Sequence, residues 1–186
     1  MLPLTVSLEL PAWIEQAIDS GAERLDDDAK MAVAIDLARR NVRERSGGPF
    51  GAALFDAQGR IVSVGVNRVL PQFCSLAHAE IMAFMLAQQH LGRARLNETG
   101  ARFTLATSAQ PCCQCFGAAV WAGIDVLLIG ARASDVEALT EFDEGPLPDA
   151  WVGELERRGI SVRCDIRRDE ACAVLREYAA GGGMRY

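Results

Sequence analysis

A regular alternation of strand-like and helix-like segments in the second half of the chain constrains the fold more than any other feature. R-F-T-L-A-T is typical of a strand, P-C-C-Q-C-F-G-A-A-V-W-A of a helix opened by Pro111, and D-V-L-L-I-G of a strand buried on both faces. Strands that alternate with helices indicate parallel pairing, because a parallel connection needs a dozen or more residues. The chain is therefore expected to cover a sheet with helices.

The segments on either side extend this pattern. Upstream we predict a short helix over 11–20, a longer helix carrying Met31, Ile35, Ala38 and Val42, a hairpin of F-G-A-A-L-F-D and R-I-V-S-V-G, and a helix from A-H-A-E to about Gln89. Downstream we predict a helix over 149–158, a strand I-S-V-R-C and a last helix over 168–179. About thirty residues separate the last two strands, which favours parallel pairing.

These elements predict an α/β protein, a three-layer α/β/α sandwich around a five-stranded mixed sheet whose last two strands are parallel. No repeat or linker divides the 186 residues, a length that suits one domain. We therefore predict a single domain over 1–186, with an N-terminal extension over 1–28 and a flexible, glycine-rich tail over 180–186.

Composition and charge restrict the class of partner. No apolar run approaches the ~18 residues of a membrane helix, and the N-terminus lacks the features of a signal peptide, so we expect a cytoplasmic protein. The net charge is −6, and the basic stretch R-R-N-V-R-E-R at 39–45 is interpreted as a solvated helix face. A small-molecule substrate is therefore favoured over nucleic acid.

The six cysteines indicate a metal site. In a reducing compartment they are expected to be thiols or metal ligands, and Cys112, Cys113 and Cys115 lie within four positions. Cys112 and Cys115 would share one face at the start of a helix, whose N-terminus favours the thiolate that a metal requires. We expect Cys113 to lie in the core, with Cys74, Cys164 and Cys172.

His78, one of only two histidines, is the candidate third ligand. Taken alone, H-A-E fits a core histidine and an acid, Glu80, in the first turn of a helix. With the cysteines it predicts a zinc site of His78, Cys112 and Cys115 with the fourth position open, the arrangement of catalytic zinc. Cys113 would point about 100° away from Cys112, which disfavours a closed structural site.

Glu80 then becomes a proton carrier beside a metal-activated water. H-x-E followed by P-C-x-x-C is the signature of zinc deaminases. The chain resembles the cytidine-deaminase-like superfamily, and within it the bacterial guanine deaminases. The resembling motifs span most of residues 47–178: G-G-P-F-G-A-A, N-R-V, C-S-L-A-H-A-E-I, T-S-A-Q-P-C-C-Q-C-F-G-A, F-D-E-G-P and L-R-E-Y.

This resemblance implies zinc-dependent hydrolysis of guanine to xanthine and ammonia by a homodimer. It also implies catalytic roles for Glu80 and Glu144, with Asp143 able to share or take over the role of Glu144. The substrate-binding residues that it implies are Asn67, Phe50, Phe142, Asp143, Ala79 and Tyr186, the last on a tail that could cover its own site or a partner's. Gln110 departs from the family, which usually has an acid before P-C.

Several alternatives stay open at this point. Asn67 fits a turn residue, Phe50 and Phe142 fit ordinary core packing, and Glu144 fits a solvated loop acid. The substrate could be another amino-heterocycle, namely guanosine, cytosine or an aminotriazine such as ammeline. A tRNA adenosine deaminase is disfavoured by the acidic charge, and a zinc-stabilised interaction module by the presence of Glu80.

Overall fold

In the computed structural model, which describes residues 2–19 and 21–184, five strands form one mixed sheet. They are β1 (Gly51–Phe55), β2 (Ile61–Val66), β3 (Thr104–Ala109), β4 (Val126–Ala131) and β5 (Ser161–Arg163), in the spatial order β2-β1-β3-β4-β5. β1 pairs antiparallel with β2 and β3, whereas β3, β4 and β5 run parallel. The predicted direction of the last two strands is thus confirmed.

Helices cover both faces of this sheet. They are α1 (Ile14–Ala17), α2 (Asp27–Arg43), α3 (Ala79–Leu91), α4 (Cys113–Ala122), α5 (Ala133–Thr140), α6 (Trp151–Glu156) and α7 (Arg168–Ala180). Alternate residues of β1 face opposite cores: Ala53 and Phe55 pack with α2 and α7, and Ala52 and Leu54 with α3 and α4. The predicted three-layer sandwich is confirmed. Within the described ranges, none of the helices has the length and apolar character needed to cross a membrane.

The sequence did not predict α5. Only Val136 and Thr140 are buried in this helix, so it carries no continuous apolar stripe. Polar contacts stabilise it instead: Asp135 accepts a hydrogen bond from the backbone N–H of Arg132 at 2.8 Å and forms an ion pair with Arg168 of α7 at 2.6 Å. The hydrogen bond from Arg168 holds the pKa of Asp135 down at about 2. Such a helix depends on tertiary partners that a sequence pattern does not show.

The predicted burial of the cysteines outside the metal site is only partly correct. Cys172 is buried and Cys74 is half-buried, but Cys113 and Cys164 are exposed. Cys164 follows β5, an edge strand that has a neighbour on one side only. Cys113 is the first residue of α4 and is turned away from the core by the rotation of about 100° per helical residue.

The loops that carry the site meet at one edge of the sheet. This edge holds the carboxyl ends of the parallel strands β3 and β4, which lead into α4 and α5. Because β1 is antiparallel to both β2 and β3, its first residues and the end of β2 lie at the same edge. Ligand sites in α/β sheets form beyond such strand ends.

Gly65 lets α3 approach the sheet closely. A Cβ at this position would lie 1.9 Å from the carbonyl oxygen of Ala79, which is backbone and cannot move aside without shifting the helix. We expect Gly65→Ala to lower the free energy of unfolding by about 1–3 kcal/mol or more, and to reduce the zinc content, because α3 begins beside His78.

Denaturant unfolding and metal analysis would measure these effects. Gly117→Ala in α4 is the matched control, because a Cβ there meets nothing within 4 Å and alanine favours a helix by up to about 1 kcal/mol. A Gly65→Ala variant as stable as the wild type would contradict this account of the contact between α3 and the sheet.

Candidate active site

Three potential metal ligands converge at the edge of the sheet. His78 is the N-cap of α3, Cys112 is the N-cap of α4, and Cys115 lies in the first turn of α4. The Nδ1 atom of His78 lies 3.5 Å from the Sγ of Cys112 and 3.6 Å from the Sγ of Cys115. The donor atoms of all three residues lie within 4.8 Å of one another.

These separations fit one zinc ion. With Zn–S bonds of about 2.3 Å and a Zn–N bond of about 2.0–2.1 Å, tetrahedral geometry separates the nitrogen from each sulfur by roughly 3.5 Å. The observed distances of 3.5 and 3.6 Å match this value. Sulfur and imidazole donors are those that zinc prefers, and three protein ligands leave one position for water or substrate.

The charges of these side chains favour a cation. In the metal-free protein, a hydrogen bond from Cys115 lowers the pKa of Cys112 to about 4. Cys115 donates this bond to Cys112, and the bond, together with burial, raises the pKa of Cys115. Burial works to lower the pKa of His78, but its hydrogen bond with Cys112 and the negative charges around it leave that pKa raised. The cluster therefore holds negative charge that a zinc ion would neutralise.

Glu80 lies beside the cluster without belonging to it. Its side chain is 6% exposed, and one carboxyl oxygen, Oε1, accepts a hydrogen bond from the hydroxyl of Thr107 at 3.1 Å. The other oxygen, Oε2, lies 3.3 Å from the Sγ of Cys115. Burial, and then the negative charge of Cys112, raise the pKa of Glu80. A carboxyl group so placed can exchange protons with a ligand at the metal.

A cavity of about 120 Å³ opens above the cluster and Glu80. It brings together most of the predicted substrate-binding residues, and the residues that line it are Phe50, Asn67, His78, Ala79, Glu80, Ala109, Gln110, Cys112, Phe142, Asp143 and Glu144. Tyr186, which was also predicted to bind substrate, lies outside the described residues. The small volume suits a compact ligand.

Asn67 lines this cavity and, among the described residues, carries an unpartnered hydrogen-bond donor. Its side chain is 1% exposed, and its Oδ1 accepts bonds from the backbone N–H groups of Gly48 at 3.4 Å and Val69 at 3.3 Å. Within residues 2–19 and 21–184, its Nδ2 is the one buried side-chain nitrogen or oxygen without a partner. Leaving such a group unpaired costs about 1–3 kcal/mol, so the amide is primed for an acceptor on a ligand.

Asn41, which the sequence analysis did not select, supports Asn67. Its buried amide donates to the carbonyl oxygens of Gly48 at 2.8 Å and Asn67 at 2.9 Å, and its Oδ1 accepts a bond from Ser46 at 2.7 Å. The sequence carried a signal: Asn41 lies seven residues after Ala34 on the buried face of α2. A polar residue on such a face needs hydrogen-bond partners, and here the partners include backbone carbonyl groups beside the site.

Glu144 lies in the loop after α5 and is 8% exposed. Burial, and then the charges of Cys112 and Glu80, raise its pKa to about 8. The loop is attached to α4, because Glu144 accepts a backbone bond from Cys113 at 3.1 Å. Gly145 has a φ of +66°, and a Cβ there would lie 2.7 Å from the Sγ of Cys113.

Asp143 differs from its neighbour. It is exposed, and its Oδ1 accepts a bond from the backbone N–H of Gly145 at 2.8 Å. Of the two acids, Glu144 is therefore the one whose surroundings suit a proton carrier.

Aromatic rings form one wall and connect it to the tail. Phe142 packs on Phe50, with ring centroids 5.6 Å apart, and on Tyr178 of α7 at 6.0 Å. The hydroxyl of Tyr178 donates to the carbonyl oxygen of Met184 at 2.6 Å, so the described part of the tail packs against α7.

Gln110, at the position where the family usually has an acid, accepts a bond from the backbone N–H of Ala133 at 3.3 Å.

The chain is similar to known deaminases. It is 35% identical to the guanine deaminase of Bacillus subtilis over 111 residues, which is 60% of this chain and 67% of that protein. It is 32% identical to the tRNA-specific adenosine deaminase of Buchnera aphidicola over 130 residues, 70% of this chain and 79% of that protein. Both relatives are deaminases, with different substrates.

Solved structures extend the similarity over nearly the whole chain. A guanine deaminase from Nitrosomonas europaea superposes with a TM-score of 0.90 at 43% identity, over 97% of this chain and 99% of that one. Two further structures, each 44% identical, hold 8-azaguanine and 2,6-diaminopurine, with TM-scores of 0.88 and 0.90 over 95% and 98% of this chain.

The family comparison agrees with the metal cluster. Residues 25–131 match the cytidine and deoxycytidylate deaminase zinc-binding region. This stretch contains His78, Glu80, Cys112 and Cys115, so the match and the ligand geometry confirm the prediction of zinc as the cofactor. The chain belongs to the zinc-binding cytidine and deoxycytidylate deaminase family.

Proposed function

We propose that the chain catalyses the hydrolytic deamination of guanine to xanthine and ammonia. The observation that carries this proposal is a small cavity that ligands of the metal cluster line together with Asn67 and Glu144. Within the described residues the Nδ2 of Asn67 has no partner, and Glu144 is buried. The similar proteins that act on guanine, and the similar structures that hold purine analogues, support it.

Guanine offers complementary groups to these side chains. Its N7 and O6 atoms are acceptors, which suit the free Nδ2 donor of Asn67. Its ring N1–H and its 2-amino group are donors, which suit the carboxyl oxygens of Glu80 and Glu144. Phe50 and Phe142 provide apolar aromatic surface against which a purine ring can pack.

The reaction forms a C2–O bond with water and breaks the C2–N bond to the amino group. Bound zinc, held by His78, Cys112 and Cys115, would supply Lewis acidity that makes water nucleophilic at neutral pH. We assign to Glu80 the transfer of the proton of this water to the ring nitrogen. We assign to Glu144, whose burial raises its pKa to about 8, the donation of a proton to the departing amine. The proton left on the new C2 oxygen returns to Glu144 as the C2=O bond forms.

The test is a screen for ammonia release across guanine, guanosine, cytosine, cytidine, adenine and ammeline. A site that hydrogen-bonds its substrate can reject an analogue that lacks the matching groups by on the order of ten-thousand-fold, so adenine and cytosine should be poor substrates. A nucleoside or cytosine that exceeds guanine more than tenfold in kcat/KM would overturn the choice of substrate. Release from none of them would overturn the proposed activity.

An adenosine deaminase acting on RNA is the main rival, since several relatives, including the one from Buchnera aphidicola, have that function. The basic residues of α2 do not favour it, because Arg39 pairs with Asp36 and Arg43 with Glu177, each at 2.8 Å. Salt-sensitive binding of a tRNA anticodon stem-loop, with inosine as the product, would support the rival.

The pH dependence provides a separate prediction for Glu144. Its pKa is raised to about 8, so the proton that it donates is present below that pH and is lost as the pH rises through it. We expect kcat to fall above about pH 8, and Glu144→Gln to lower kcat by about 10²-fold and to remove this fall. Asp143→Asn is the matched control. A Glu144→Gln variant that keeps the wild-type pH profile would exclude Glu144 as the donor.

We also propose that the chain acts as a cytoplasmic homodimer. Large apolar side chains are exposed on the surface, among them Phe73 at 98%, Leu76 at 56% and Trp121 at 78%. Burying such residues against a second copy would remove apolar surface from water. Sedimentation velocity should give twice the monomer mass, and Trp121→Glu should weaken the dimer. A fully active monomer would exclude it.

A further inference from the structure

We infer that Thr107 is a positioning residue for Glu80. Its hydroxyl holds one carboxyl oxygen, Oε1, so that the other oxygen, Oε2, stays beside the ligand cluster at Cys115 and carries the transferred proton. This inference rests on the proposed deaminase activity but concerns a residue outside the ligands and the substrate wall.

The position of Thr107 in β3 explains the contact. Thr107 is 1% exposed and pairs with Ala52 of β1, so it lies within the sheet and away from water. Two residues earlier, Leu105 packs in the core that contains Ala79 and Ala83 of α3. Alternation along a strand places Thr107 on that same face, where the first turn of α3 carries Glu80. The distance from Oγ1 to Oε1 is 3.1 Å.

The hydroxyl of Thr107 does not have the ordinary role of a buried hydroxyl, which is to bond the backbone. The neighbouring residue shows that role, because Ser108 accepts a bond from the backbone N–H of Gly51 at 3.1 Å. Thr107 instead donates to a carboxyl group in the site. Because a β-branched side chain has a stiff χ1, the direction of this hydroxyl is well defined.

The two oxygens of Glu80 thus have separate surroundings. Oε1 faces the sheet and Thr107, whereas Oε2 lies 3.3 Å from the Sγ of Cys115, on the side of the metal cluster. Without the hydroxyl, the carboxyl group could rotate and present either oxygen at a poorer distance. Misplacement of a reacting group by about 1 Å can cost about 10² in rate.

Thr107→Val and Thr107→Ser provide the test in the zinc-loaded enzyme. Valine keeps the branched shape without the hydroxyl, and we expect kcat to fall about 10- to 100-fold with KM changed less than about twofold. Serine keeps the hydroxyl, and kcat should stay within about threefold of the wild type. Ser108→Ala, the loss of a hydroxyl that accepts the backbone bond from Gly51, is the matched control and should leave kcat unchanged.

Unfolding of the zinc-free protein gives a second measurement that does not depend on activity. Thr107→Val should lower the urea midpoint in the wild-type background but not in the Glu80→Ala background, because the lost bond ends on Glu80. Equal shifts in both backgrounds would overturn the inference, and so would a serine variant as slow as the valine variant or a valine variant as fast as the wild type. A wild-type enzyme that releases no ammonia would instead overturn the proposed function. The unfolding measurement would then still show whether Thr107 is hydrogen-bonded to Glu80.

Discussion

Replacing Glu80 by glutamine is expected to lower kcat about 10³-fold, within the 10²- to 10⁴-fold range of general acid–base catalysis, while the zinc content stays unchanged. The amide has nearly the same shape as the carboxyl group and can still accept the bond from Thr107, but it cannot take up and release a proton. The ligand atoms belong to His78, Cys112 and Cys115, so the metal should remain.

Metal analysis and steady-state kinetics on the same preparation separate the two effects. Glu154→Gln, an isosteric change of a half-buried acid in α6, is the matched control for both. If Glu80→Gln lost its zinc, Glu80 would have to be reassigned to the coordination shell. If it kept full turnover, proton transfer would need another group, and Glu144 would be the candidate.

The zinc site could be predicted because its signal is local. Cys112 and Cys115 are three residues apart at a helix start, and a sequence motif supplies both that spacing and the helix. His78 and Glu80 lie two residues apart at the start of α3. The pairing of the two motifs follows from the sheet, since both helices begin at the edge where β3 and β4 end.

Contacts that depend on register could not be predicted in this way. Thr107 meets Glu80 from 27 positions away in the chain, and only the placement of β3 against α3 decides which of its residues does so. Asn67 is a second case: an asparagine offers both a donor and an acceptor, but backbone N–H groups of Gly48 and Val69 occupy its Oδ1. The structure therefore leaves only a donor for a ligand, which the sequence could not show.

Loss of a zinc ligand should have the largest effect of any change in the chain. We expect Cys112→Ser, Cys115→Ala and His78→Ala each to weaken zinc binding by more than about 10²-fold, because loss of a residue that only supports a ligand already costs up to about 10²-fold. Each variant should also lose turnover at ordinary zinc concentrations. Because zinc binds the folded protein, chelation should lower the Tm of the wild type, and this shift should disappear in each variant.

Cys113→Ser is the control for the metal content, since Cys113 is exposed and its side chain lies against Gly145, outside the cluster. It should bind zinc like the wild type and keep the Tm shift on chelation. Zinc loss in this variant would mean that Cys113 completes a four-ligand, closed site. A closed site leaves no position for water or substrate, so that result would argue for a structural zinc and against the proposed reaction. Normal zinc binding by Cys112→Ser or Cys115→Ala would show instead that the ligand set is different.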